Sequence, residues 1–178
     1  AMPQGKFQVV LTKKAELGPY GTDEAQFYFT ANLGQEAKLL SKVASGGELS
    51  RIALAIKAVL LEKSGVPTMV FDEIDTGVGG VTAQKMAEKI AVIATVRQVL
   101  CITHLAQIAT FADNHLYIEK VVENNKTSTL VKPLDAQERV TEIMRMAGGN
   151  NISEASRINA EQLLLMAEKI KHDIKSSV

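Results

Sequence analysis

The chain has 178 residues, with 20 Lys plus Arg against 20 Asp plus Glu, no formal net charge, and 46% hydrophobic residues. That length suits one domain burying roughly 70% of its unfolded surface, and that composition excludes a disordered or collagen-like chain. A single cysteine excludes a disulfide framework or a multi-thiolate zinc site, no run of 18 apolar residues is present to span a membrane, and balanced charge argues against a binder that neutralises many phosphates.

The expected organisation is one domain, 1–178, in three blocks. Residues 1–34 form N-terminal β-strands, 35–133 a central α/β lobe, and 134–178 C-terminal helices. The first six residues lack an apolar signal segment, which makes a reducing cytoplasm the simplest compartment. Phe7–Thr12 and Ala25–Thr30 are rich in β-branched and aromatic residues and predict two antiparallel strands. Leu17–Asp23, with Gly18-Pro19 and Gly21, predicts the loop between them.

In the central block a helix is predicted from about Gly47 to Lys63. Ile52, Ile56, Val59 and Leu60 have helical spacing, and the alanines around them suggest burial on most sides. Gly65-Val66-Pro67 ends it. Thr68–Phe71 predicts a short buried strand, Val81–Thr95 an amphipathic helix with Met86, Ile90 and Ile93 inward, and Gln98–Thr103 a second buried strand. Strand, crossover helix, strand favours a parallel pair. In the last block, Leu116–Val121 and Thr127–Val131 predict a hairpin turning at Asn124-Asn125. A helix follows, opened by the capping-box pattern Asp135–Glu138 and closed by Gly148-Gly149. A final helix is predicted from about Ile152 to Lys171. The methionines at helical positions, Met86, Met144, Met146 and Met166 among them, read as core filling.

Three features could carry chemistry. Ser45-Gly46-Gly47-Glu48 stands before the first long helix. Two glycines allow close backbone approach, and free amides with the helix dipole favour an anion. Ser45 and Glu48 also fit a capping box, and the two readings are compatible. Asp72-Glu73 ends the strand Thr68–Phe71, where α/β folds bind ligands. An Asp there can hold Mg²⁺ through water and an adjacent Glu can act on an attacking water, although two solvated acids at a strand end are common. Ile74–Gly80 then supplies a glycine-rich turn. His104 follows the second strand, where it can reach a phosphate or a water, or simply cap the next segment. His115 and His172 have no partner pattern and read as structural or solvated. Cys101 lies in an apolar strand without a nearby base and reads as a buried inert thiol.

The order of these features, with Lys42–Ile56, Phe71–Gly80 and Cys101–Ala109 as the stretches that carry it, resembles the C-terminal lobe of an ATP-binding-cassette head. It is most similar to the RecN family of bacterial DNA repair proteins, relatives of the structural-maintenance-of-chromosomes (SMC) ATPases. The resemblance implies a P-loop-NTPase-like α/β fold, with parallel core strands and crossover helices beside antiparallel N-terminal strands and C-terminal helices. It implies that Ser45, Gly46, Gly47 and Glu48 form a signature motif against ATP of the opposite head. Asp72 would be the Walker B acid for Mg²⁺ and Glu73 the residue acting on water. Asp75 would lie in the D-loop at the head–head interface, and His104 would be the switch histidine at the γ-phosphate. The implied activity is Mg-dependent ATP hydrolysis in DNA double-strand-break repair and recombination, in a cytoplasmic, nucleoid-associated protein. No G-x-x-x-x-G-K-[ST] phosphate loop is present. The resemblance therefore implies a Walker A lobe and coiled coil elsewhere in a longer parent, a second head of a homodimer as partner, contact with DNA through the parent and none with a membrane, and a fragment inactive alone. A transporter's nucleotide-binding subunit, or a non-catalytic module retaining the fold, are the alternatives. The missing phosphate loop counts against the first, and the intact Asp72, Glu73 and His104 against the second.

Overall fold

The computed structural model describes residues 4–32, 34–42, 46–60, 65–72, 74–123, 126–149 and 153–177. In chain order these form β1 (Lys6–Gly18), β2 (Gly21–Thr30), β3 (Lys38–Leu39), a single 3-10 turn (Leu40–Lys42), α1 (Gly46–Val59), β4 (Thr68–Phe71), α2 (Gly80–Ala94), β5 (Gln98–Cys101), the one-turn α3 (Ala106–Ala109), β6 (Leu116–Glu123), β7 (Lys126–Pro133), α4 (Ala136–Gly148) and α5 (Glu154–Ser177).

The parallel pair expected from the sequence is present. β4 and β5 run in register from Thr68 opposite Gln98 to Phe71 opposite Cys101, and the Thr68 hydroxyl donates to the Gln98 side chain at 2.9 Å. The pleat sends Met69 and Phe71 into the core and leaves Val70 on the other face. α2 lays Met86, Ala87, Ile90, Ala91 and Ile93 on that core, with Leu54 from α1, Ile108 and Phe111 near α3, and Ala167 from α5. The Lys57 ammonium sits 4.8 Å from the centre of the Phe71 ring, a cation–π contact that ties α1 to β4. A second cluster, Ala106, Ala109, Ile143, Met144 and Ala160, joins α3, α4 and α5. α5 thus contributes to both clusters.

Several expectations change in detail. The N-terminal strands continue through the predicted loop, pairing from Lys6 opposite Thr30 to Lys13 opposite Asp23, and after an irregularity Gly18 opposite Gly21. Gly21 makes this narrow turn possible with φ +99°. The strand signal fades after Thr12 because the extension is solvent-exposed and needs no apolar alternation. In α1, Ile52 and Leu54 are buried, but Val59, Leu60 and the alanines Ala53 and Ala55 are exposed, so burial on most sides does not hold. β5 stops at Cys101 rather than Thr103 because the next residues turn toward the loop after β4. Met166 is exposed, unlike Met86 and Met144. The turn at Asn124-Asn125 lies outside the described residues, whereas the flanking β6–β7 hairpin pairs from Leu116 opposite Pro133 to Glu123 opposite Lys126. The Asp135 capping box forms in full: the Glu138 N–H donates to the Asp135 carboxylate at 2.8 Å, and the Asp135 N–H donates to the Glu138 carboxylate at 3.1 Å. Gly149 closes α4 with φ +65°.

Candidate functional site

Parallel strands place their carboxyl ends on one edge, and there the loops after β4 and β5 meet. The Ile102 N–H donates to the Phe71 carbonyl at 2.9 Å, which carries the pairing one residue beyond the ladder. Asp72 follows β4 and is exposed. Glu73 lies outside the described residues. Ile74 then buries its side chain in the core, and the chain turns through Asp75–Val78, closed by the Val78 N–H donating to the Asp75 carbonyl at 3.0 Å. Gly77 adopts φ +68°, a conformation that a side chain would strain. The glycine-rich run therefore works as expected, as a tight return into α2.

Asp75 is the buried centre of this edge. Its side chain is 1% exposed. One carboxylate oxygen, Oδ2, accepts from the Thr103 hydroxyl at 2.5 Å and the His104 backbone N–H at 3.0 Å, and lies 3.2 Å from His104 Nδ1. The Thr103 hydroxyl in turn accepts from the Leu105 N–H at 3.0 Å. The loop after β4 is thereby fastened to the segment that leads from β5 into α3. The His104 side chain is 69% exposed, so its ring is held on one side and open on the other. In β5, the Cys101 thiol is pushed up to about 11, first by burial and then by the negative charge of Asp75. The raised pKa favours the less nucleophilic thiol form near neutral pH, although β5 leaves the thiol half-buried rather than fully buried as expected.

Of the residues singled out from the sequence, Asp75 and His104 are in direct contact, and Asp72 stands at the end of the neighbouring strand. Ser45 lies outside the described residues. Gly46 and Gly47 form the opening of α1 with Glu48 next to them, and the side chain of Glu48 is outside the described part. The Asp75 carboxylate points inward to Thr103 and His104. His172 is exposed and His115 half-buried, and burial, aided by the nearby Arg139 charge, lowers the His115 pKa from its ordinary value. Among the described residues no group of three or more His, Cys, Asp or Glu side chains is arranged to hold a metal. One exposed Asp at a strand end fits Mg²⁺, which keeps several waters and is commonly held by one or two carboxylates plus substrate phosphates.

Two residues escaped the sequence reading. Thr103 closes a predicted strand, and its signal is a hydroxyl followed by a chain that must turn, the setting in which Thr bonds an N–H two residues on. Arg139 donates from Nη2 to the carbonyls of Thr110 at 2.8 Å and Ala112 at 2.7 Å, and so clamps the end of α3 to α4. Nothing local to Arg139 in sequence reveals partners nearly 30 positions away.

No family model matches the chain. A protein named DNA repair protein RecN from Bacillus subtilis is 47% identical over 156 residues, 88% of this chain and 27% of that protein. One of the same name from Halalkalibacterium halodurans is 45% identical over 166 residues, 93% of this chain and 29% of that protein. The chain thus spans less than a third of the length of these curated relatives. Among solved structures, the Smc head domain with a coiled coil and joint from Pyrococcus yayanosii superposes with a TM-score of 0.62 at 19% identity, covering 82% of this chain and 26% of that one. A structure described under ATP-driven dimerization and DNA-stimulated activation of SMC ATPases gives 0.54 at 19% identity, over 82% of this chain and 83% of that one. Along most of its length the chain is RecN-like in sequence, and its fold matches part of the Smc head domains.

Proposed function

We propose that the chain is the C-terminal lobe of a RecN-like ATPase head that acts in DNA double-strand-break repair and recombination. The observation that carries this reading is the placement of Asp72 and His104 at the carboxyl ends of two hydrogen-bonded parallel strands, in a chain 47% identical to a RecN protein. That edge is where ligands bind in open α/β sheets.

In this reading ATP lies between two engaged heads of a homodimer. Asp72 binds Mg²⁺ through water, and the ion, when bound, neutralises charge on the phosphates. Glu73 takes a proton from the attacking water, and His104 meets the γ-phosphate or that water. Ser45, Gly46, Gly47 and Glu48 present helix-terminal amides and a hydroxyl to the γ-phosphate held by the opposite head. A Walker A lobe supplies the phosphate loop and base pocket, and a coiled coil links it to this lobe in the cytoplasmic parent, which engages DNA. The open face of the β4–β5 pair supports such a partner: parallel sheets are normally covered on both sides, but Val70, Leu100 and Ile102 are about half exposed here. No described helix is long and apolar enough to cross a membrane.

Replacing Glu73 by Gln in the full-length protein tests the reading. The amide keeps shape but cannot act as a base, so ATP turnover falls by about 10²–10⁴ while ATP binding persists and ATP-bound dimers accumulate. Near-normal turnover would remove Glu73 from the role. This chain alone should bind Mg-ATP more weakly than about 10 μM, since one helix terminus and repelling acids offer little of the roughly −7 kcal/mol required.

A further inference from the structure

The buried Asp75 carboxylate does more than hold a turn. Two hydrogen-bond donors from the segment after β5 converge on its Oδ2, the Thr103 hydroxyl and the His104 backbone N–H, and the His104 ring nitrogen Nδ1 stands 3.2 Å from the same oxygen. A carboxylate only accepts hydrogen bonds, so the Nδ1 that faces it carries the hydrogen. The position of the carboxylate is fixed from several sides. Ile74 before it is packed in the core, its own carbonyl closes the Asp75–Val78 turn, and the Thr103 hydroxyl is oriented by the Leu105 N–H that it accepts. A ring 69% exposed would otherwise be free to rotate and to exchange its proton between nitrogens.

We infer that Asp75 is a positioning residue for His104: with Thr103 as its pin, it holds the imidazole in one orientation with Nδ1 protonated, leaving Nε2 as the nitrogen presented outward at the carboxyl edge of the sheet. The inference rests on the proposed ATPase reading only for what Nε2 meets there. In a neutral ring Nε2 accepts from the attacking water, and in a charged ring it donates to a phosphate oxygen. In both states the contact is made at Nε2, because Nδ1 is committed to Asp75. Asp75 thus serves the reaction through His104 without touching the nucleotide.

The first test needs only this chain. Long-range proton–nitrogen correlation spectra at about pH 8, where an ordinary imidazole is neutral, should show His104 with protonated Nδ1 and bare Nε2. Free histidine in water favours the opposite tautomer. Asp75→Asn and Thr103→Val should each shift His104 toward the free-histidine pattern, and Thr103→Ser should restore it. If Asp75→Asn does not fold, the wild-type spectrum and the Thr103 pair decide. A wild-type His104 protonated at Nε2, or a tautomer unchanged in folded variants, overturns the inference. In the full-length protein, Thr103→Val should lower kcat by about 10-fold to 100-fold, the usual effect of losing a bond that orients a working imidazole, with ATP affinity unchanged and Thr103→Ser restoring the rate. An unaltered kcat also overturns it. A full-length protein with no ATPase activity would instead strike the proposed function and leave the tautomer result standing.

Discussion

The β4–β5 pair and the β1–β2 hairpin both carry apolar side chains, but they stand on opposite sides of the line between packed and unpacked. In β4–β5 one face, with Met69 and Phe71, is sealed by α1 and α2, and only Val70, Leu100 and Ile102 look outward. In the hairpin Phe7, Val9 and Leu11 lie on one face with Phe27 and Phe29; the first four are exposed, and only Phe29, at the end of β2 that pairs with β3, is buried. Phe7 stacks on Phe27 within the hairpin, with ring centroids 5.7 Å apart. A four-residue strand can therefore contribute more stability than a thirteen-residue one. Strand length adds backbone pairing, but burial of apolar area on the far side of the sheet supplies most of the free energy.

The largest expected effect sharpens this contrast. Ile93 is 0% exposed and sits in the cluster under β4–β5. Ile93→Ala should destabilise the chain by about 2–5 kcal/mol through lost transfer energy and a residual cavity, as read by chemical denaturation. Leu11→Ala, at an exposed hairpin position, should cost under about 0.5 kcal/mol. Equal losses would mean that the hairpin belongs to the cooperative core. An intermediate effect is expected for Arg139→Met. It leaves the carbonyls of Thr110 and Ala112 without a charged donor, at a cost of about 1.5–3 kcal/mol. The loss should appear first as faster amide exchange in α3 and the segment after it, because α3 is only one turn long and leans on this clamp. Uniform loss of protection across the fold would show that Arg139 supports the whole core instead.

Much of the core could be read from the sequence because its signals are local. Met86, Ile90 and Ile93 recur at helical spacing and are all buried, and Thr68–Phe71 is a short apolar run bounded by Pro67 and Asp72. The capping box of α4 was equally legible, since its partners are three residues apart. The full length of the hairpin is not legible for the converse reason: Lys13 and Asp23 pair across the sheet without any apolar alternation to reveal it. At the candidate site, Asp72 follows β4 at the predicted limit, whereas His104 stands three residues past the end of β5, and the bond from Asp75 to Thr103 spans 28 residues. Only the parallel register of β4 on β5 brings those residues together, and register is not written in either segment alone.

The smallest effect on this chain is the most informative for the comparison. Val70 is 55% exposed on the open face of β4, opposite Leu100. Val70→Thr keeps the shape and the β-branching that suits a strand, and exchanges one methyl for a hydroxyl. In the present chain that hydroxyl is wet, so stability should move by no more than about 0.5 kcal/mol. In the full-length protein the proposed Walker A lobe would lie over this face. The hydroxyl would then be buried against apolar side chains and, where it finds no partner, cost about 1–3 kcal/mol. The quantity to measure is the difference between the two proteins, by denaturation of each with and without the substitution. A penalty that appears only in the full-length protein marks the β4–β5 face as a sheet surface completed from outside this chain. A substitution equally silent in both would mean that the face stays open, and that the cover inferred from its exposed Val, Leu and Ile does not lie there.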